Sequence, residues 1–419
     1  MSDRREYGGA HAPKRFWRVE PPRAIPRSVV IEARGREQPL WSAAFRPFFL
    51  AAAAWSAGAI LLWIGLYMHG GATPSRFDPL TWHIHEMLFG FVPAAIAGFL
   101  LTAIANWTGR SPIRGSLLAA LAALWLAGRI AVFFSALLPA WVAPAVDLAF
   151  PAALFALAAR EIVAARSWRN LMMLAPLAVL TAADALMFLE SAGAAIPHGL
   201  GWRLAIAAII TLVSAIGGRI IPAFTRNWLV LRGASELPNT HSLFDSVSLA
   251  ALHTGLLAWA FFPASTLVGA LLLIAAALTA LRLARWRGWA TAAEPLLAIL
   301  HVGYAWIAIG AALLGASILT SLAPQEAAVH AFTAGVMGTM VLAITTRVAR
   351  GHTGRRLEAD RVTASIYVLV SAAAVARVAA PFLPTLAITL LTASAALWAA
   401  SFLTFLAAYG PMLVRPRLA

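Results

Sequence analysis

The 419-residue chain contains no cysteine. Disulfides, thiolate metal sites, iron–sulfur clusters and cysteine nucleophiles are therefore excluded. Charge is also scarce. Only 12% of residues are Asp, Glu, Lys or Arg, against ~25% in an ordinary soluble domain. Acidic residues are the scarcer kind, 17 against 32 basic ones, which leaves a formal charge of +15. Neither a Walker A sequence nor a Rossmann fingerprint occurs. What the chain has instead is apolar: 61% of its residues, with a mean hydropathy of +0.80. This composition excludes a soluble enzyme and a disordered chain. It also excludes an outer-membrane barrel, whose alternating strands do not reach such hydropathy. The fold class that remains is an all-α polytopic membrane protein.

A membrane span needs about 20 mostly apolar residues. Twelve such stretches occur, at about 41–66, 84–105, 116–137, 140–160, 170–191, 202–222, 246–262, 265–284, 293–321, 326–346, 363–380 and 384–409. Residues 1–40 are polar, Pro-rich and basic, with no apolar run, and read as a cytoplasmic tail rather than a signal peptide. Residues 41–419 then form one twelve-helix transmembrane domain. The basic residues sort by loop. Arg110 and Arg114, Arg160, Arg166 and Arg169, Arg226 and Arg232, Arg282, Arg285 and Arg287, and Arg347 to Arg361 fall on one side, while the other side holds little more than Arg76 and Arg203. By the positive-inside rule this predicts both termini in the cytoplasm. The basic excess is thus read as topology, and a nucleic-acid partner is not expected. No loop is long enough for a domain, so any chemistry is expected within or beside the lipid bilayer.

Ionisable groups inside a bilayer are costly and mark function by default. Here they are Arg129 in the third span, Asp147 in the fourth, Asp184 and Glu190 in the fifth, His253 in the seventh, His301 in the ninth and Arg377 in the eleventh. His83, His85 and Glu86 open the second span, and His330 opens the tenth. Counting ~1.5 Å per residue gives two histidine levels. Imidazoles at such positions serve as axial ligands of heme or as copper ligands; alternatively they sit at the interface, bonded to water or backbone. His83 and His85 point about 200° apart if their segment is helical, and then His83 shares a face with Glu86.

An internal echo bears on this choice. His85, Gly90 and Thr108-Gly109-Arg110 recur as His330, Gly335 and Thr353-Gly354-Arg355, all at one offset (330 − 85 = 245). An internal repeat of this kind makes His85 and His330 equivalent and suggests a bis-histidine heme site between them. Arg129 and Arg377 then pair with heme propionates, or alternatively form ion pairs with Asp147 or Asp184. His253 and His301 are a second candidate pair for copper or non-heme iron, with His352 or His241 as a third ligand and Tyr304 as proton donor; the alternative is polar bridging between helices. Many of the 16 tryptophans fall at span ends, as an interfacial belt does.

Several segments then carry a resemblance. Phe45-Arg46-Pro47-Phe48-Phe49, Trp82-His83-Ile84-His85-Glu86-Met87-Leu88-Phe89-Gly90, Asn106-Trp107-Thr108-Gly109-Arg110, Gly217-Gly218-Arg219-Ile220-Ile221-Pro222, His301-Val302-Gly303-Tyr304 and Gly351-His352-Thr353-Gly354-Arg355 resemble the NnrS family, from about residue 41 to the C-terminus. The resemblance implies a bacterial inner-membrane protein of denitrification and nitrosative stress that contains heme and copper. By fold-level analogy, heme–copper oxidases and nitric oxide reductases hold a low-spin heme on histidines of the second and tenth spans, where His85 and His330 fall. This chain departs from them in lacking a histidine on the sixth span. The leading expectation is an oxidoreductase that reduces nitric oxide to nitrous oxide at a b-type heme and a second metal. Quinol or another membrane donor would supply electrons. Glu86, Asp147, Asp184 and Glu190 would carry protons. A non-catalytic nitric oxide binder or sensor, and a transporter of metal, heme or a nitrogen-linked solute, are the other readings.

Overall fold

The computed structural model describes residues 38–238 and 241–418. The tail expected at residues 1–40 lies almost wholly outside the described residues. Twelve helical segments among those described are long and apolar enough to cross a membrane, and no strand occurs among them. In chain order the spans are Phe45–His69, Pro79–Thr108, Gly115–Phe133, Val142–Ala164, Trp168–Ser191, Leu200–Leu231, Leu243–Phe261, Thr266–Ala284, Pro295–Leu319, Gln325–His352, Arg361–Phe382 and Pro384–Val414. All twelve sequence stretches coincide with these. Only helices can cross lipid as separate segments, because they satisfy their own backbone hydrogen bonds.

The ends differ from expectation where polar residues extend a helix. The second span starts at Pro79, earlier than its apolar run. Asp78 caps it by accepting from the Leu80 and Thr81 amides at 3.0 and 3.1 Å, and Pro79 occupies the first position, where its missing N–H costs nothing. The sixth span runs on through Pro222 to Leu231, well past its apolar stretch.

The second, sixth and tenth spans form the centre. Of their apolar stretches 83%, 72% and 72% is buried, against 61% or less in the others. The first and last spans are tied at one end, where the Arg46 guanidinium donates to the carbonyls of Leu413 and Arg415 at 2.7 Å each.

The second and tenth spans share a further irregularity. Each opens with a short α-helical turn that ends on a histidine, Pro79–His85 and Gln325–His330. Each then passes into π-helix, over Glu86–Phe91 and Ala331–Gly338, before resuming as α-helix. The π segments begin at the same offset as the histidines (331 − 86 = 245). π-Helical turns are rare and concentrate at functional sites. Glycine makes both possible at close quarters. A Cβ on Gly90 would meet Arg129 Nη1, Glu86 Oε2 and Trp55 Nε1 at 2.8 Å, and one on Gly335 would meet the Trp306 indole at 2.6 Å.

Candidate functional site

The opening turn of the second span is helical, so His83 and His85 face different ways, and they enter different surroundings. His83 lies on the wall of a cavity of about 350 Å³, within the ~300–1,000 Å³ range of cofactor sites. The cavity lies at the end of the bundle where the second and tenth spans begin. His330 and Arg377 share it, with Trp63, Met87, Met337 and Trp398 among its apolar lining. His83 stacks on Trp63 at 4.2 Å between ring centroids, and its Nδ1 is buried without a hydrogen-bond partner. His330 Nδ1–H donates to the Glu326 carbonyl at 2.7 Å. That bond fixes the tautomer and leaves Nε2 as the nitrogen with a free lone pair, the arrangement that orients metal-binding imidazoles. Arg377 has no carboxylate within ion-pair distance among the described residues. Two imidazoles, one with an orphaned nitrogen and one with a directed lone pair, together with an unpaired guanidinium, fit a heme with its propionates. A second, smaller apolar cavity of about 90 Å³ lies between the second, sixth and tenth spans, and Val92 and Met337 line both.

His85 is buried on the other side of the same helix. Its Nδ1 faces Glu86 Oε1 at 3.2 Å, and its Nε2 faces Asp184 Oδ1 at 3.0 Å and Asp147 Oδ2 at 3.1 Å. Arg129 donates to Glu86 Oε2 at 2.8 Å and, on its other nitrogen, to Asp147. All five groups are buried. Phe77, Phe89 and Phe188 pack around the imidazole. His85, Asp147 and Asp184 form the one group of three side chains among the described residues that could hold a metal ion.

These positions revise the sequence expectations in two respects. The imidazole that shares a cavity with His330 is His83, whereas His85 is held among carboxylates. Glu86 goes with His85 and not with His83: its carboxylate meets His85 Nδ1 at 3.2 Å and accepts from Arg129 at 2.8 Å. Arg129 takes the alternative reading, ion pairing with Asp147 and Glu86, while Arg377 stays at the cavity.

The expected second metal pair is not brought together. His253 Nε2 contacts Ser214 Oγ at 2.8 Å and His301 Nε2 contacts Thr225 Oγ1 at 2.9 Å. Those hydroxyls are eleven residues apart on the sixth span (225 − 214 = 11), roughly 16 Å along a helix. Two ligands of one ion, each about 2 Å from it, cannot be so separated. His352 lies at the end of the tenth span against Phe45, at 5.5 Å between centroids, apart from both. The Tyr304 hydroxyl accepts from Arg282 at 2.7 Å and donates to the Ser214 carbonyl at 3.3 Å. Glu190 binds His198 at 2.7 Å and the Gly199 amide at 2.9 Å, closing a turn between the fifth and sixth spans.

Sequence reasoning missed Arg282 and Asp245. Arg282 reads as a loop residue, yet it is buried, bonded to Asp245 Oδ1 at 3.0 Å and stacked on Trp286 at 5.1 Å. The available signal was Gly218, whose Cβ would collide with that guanidinium.

The family described as NnrS protein has a model that matches residues 39–417, nearly the whole chain. No curated protein matches the sequence.

Proposed function

The chain belongs to the NnrS family, and on that premise we propose that it is an integral membrane heme protein of nitric oxide metabolism and nitrosative-stress defence, reducing nitric oxide to nitrous oxide with quinol as electron donor. The observation that carries this reading is the intramembrane cavity shared by His83, His330 and Arg377. In it, His83 and His330 would hold a heme, and Arg377 would take up its propionate charge. When bound, that heme supplies one-electron chemistry and an affinity for diatomic gases. His330 keeps its nitrogen lone pair directed inward through the bond to the Glu326 carbonyl. Trp63 fixes the plane of the His83 ring by stacking. The apolar cavity beyond Val92 and Met337 would offer an apolar gas a place to partition beside that site.

The overall reaction balances with one quinol: two nitric oxide molecules accept two electrons and two protons and yield nitrous oxide and water. The family membership, the membrane spans and the two imidazoles at the cavity support this reading together. The matched π-helical openings of the second and tenth spans also support an internal repeat that presents its histidines at one level. The basic loops support a cytoplasmic placement of both termini.

The test uses detergent-purified protein. Heme content and reduced-minus-oxidised optical spectra are compared for the wild type, His83→Ala and His330→Ala. Both substitutions are expected to abolish the low-spin heme signal. Nitric oxide consumption is then followed with reduced quinol. Heme that survives both substitutions rejects the site; heme with no consumption converts the enzyme into a nitric oxide binder.

A further inference from the structure

We propose that His85, Asp147 and Asp184 form a divalent metal site of the Mn2+, Fe2+ or Zn2+ class, separate from the His83–His330 cavity and independent of what that cavity holds. The three candidate ligand atoms lie within 4.8 Å of one another and all three residues are buried. His85 Nε2 stands 3.0 Å from Asp184 Oδ1 and 3.1 Å from Asp147 Oδ2. A ring nitrogen carries at most one proton, and it can donate that proton to only one of them. Asp147 Oδ2 is accordingly buried with no hydrogen bond, although its residue is 1% exposed. An unpaired carboxylate oxygen in that setting is costly unless something positive meets it. A cation between the three atoms satisfies all of them at once, since ligands about 2 Å from a common ion lie about 3 Å from each other.

The surrounding groups are arranged as support for such an ion. Glu86 Oε1 lies 3.2 Å from His85 Nδ1, which makes the carboxylate–imidazole–metal relay that fixes a ligating histidine. Arg129 clamps both Glu86 and the other oxygen of Asp147. A Cβ on Gly128 would fall 2.6 Å from Asp147 Oδ1, so only glycine lets that carboxylate reach the arginine.

Charge points the same way. Three carboxylates and one guanidinium sum to −2 with a neutral imidazole (−3 + 1 = −2). One divalent ion brings the cluster to zero, as burial in an apolar bundle demands. The donor set also selects the kind of ion. One imidazole and two carboxylates, with no thiolate or thioether, suit Mn2+, Fe2+ or Zn2+ and not Cu+. The three ligands come from the second, fourth and fifth spans, so the ion would pin these spans together.

The experiment is Mn2+ binding to the purified full-length protein, read by electron paramagnetic resonance, together with metal analysis of the protein as isolated. The expected result is one bound divalent ion per chain. Asp184→Asn should weaken Mn2+ binding at least tenfold, and Glu86→Gln by about 10–100-fold, the usual effect of removing a ligand's supporting carboxylate. His83→Ala and His330→Ala should leave Mn2+ binding unchanged while altering any heme spectrum, so failure at one site is distinguishable from failure at the other. Wild-type protein that carries no divalent metal and shows no bound Mn2+ overturns the proposal without needing any variant to fold. Equal Mn2+ binding by the wild type and Asp184→Asn overturns it as well, and assigns the cluster's extra positive charge to protons.

Discussion

His83 and His85 stand two residues apart on one helical turn and belong to opposite kinds of environment. The first lines a cavity, with a buried nitrogen left unpaired, beside an arginine that has no carboxylate within ion-pair distance among the described residues. The second lies among three carboxylates that an arginine partly neutralises. On the proposals above, the first region would accept something large and flat and the second would hold a small positive charge. The difference teaches that two candidate centres can share a helix when its two faces meet different neighbours. It also shows that a histidine-rich motif is not evidence for a single site.

The strongest way to break the comparison is through the two arginines. Arg129→Met strands buried carboxylates and should cost about 3–5 kcal/mol, as removal of one partner from a buried ion pair does. Arg377→Met removes a charge that has no such partner and should leave folding nearly unchanged while weakening heme retention. Thermal unfolding in detergent micelles would separate the two, and equal destabilisation would show that the two arginines are held alike.

Glycine offers a milder probe. Gly90→Ala pushes a methyl group into Arg129, Glu86 and Trp55 and should cost about 1–3 kcal/mol. Gly58→Ala, where no atom lies within 4 Å, should be neutral or stabilise by up to about 1 kcal/mol. A similar loss from both would mean that the cluster is less tightly packed than its contacts indicate.

His83→Ala should be gentler still on the fold. It removes one ring stack, worth about 0.5–1.5 kcal/mol, and yet should eliminate heme binding. A loss of stability without loss of the heme spectrum would reverse the roles assigned to the two faces.

Smallest is the effect expected at the separated histidines. Ser214→Ala and Thr225→Ala each remove one hydroxyl partner, for about 1 kcal/mol apiece. The two effects should add, because sites so far apart share no partner. Marked non-additivity in the double variant would restore His253 and His301 as one unit.

Much of this molecule is legible along the chain. Each of the twelve spans follows from hydropathy, since a segment in lipid must satisfy its backbone internally and present apolar side chains all round. The unusual residues are legible too: Asp147, Asp184, Arg129 and the histidines stand out because their types are rare in spans. The echo between His85 and His330 marks the two positions where π-helix begins, although nothing in residue spacing announces the π-helix itself.

Partnership was legible only in part: Arg129 with Asp147 stood as one of two readings, and the other pairings did not. Asp184 reaches His85 across 99 positions and Arg129 reaches Glu86 across 43, and both distances depend on which helix faces pack together. Arg282 and Arg350 read as loop residues, and each is instead drawn inward by an acid and a tyrosine, Asp245 with Tyr304 and Asp360 with Tyr409. The sequence by itself determined the all-helical membrane fold, the number of spans and the list of costly polar groups, because these follow from transfer of each segment into lipid. Tertiary structure alone decided that His83 faces His330's cavity while His85 faces carboxylates, because the rotation of that helical turn within the bundle sets which of its sides meets which neighbour.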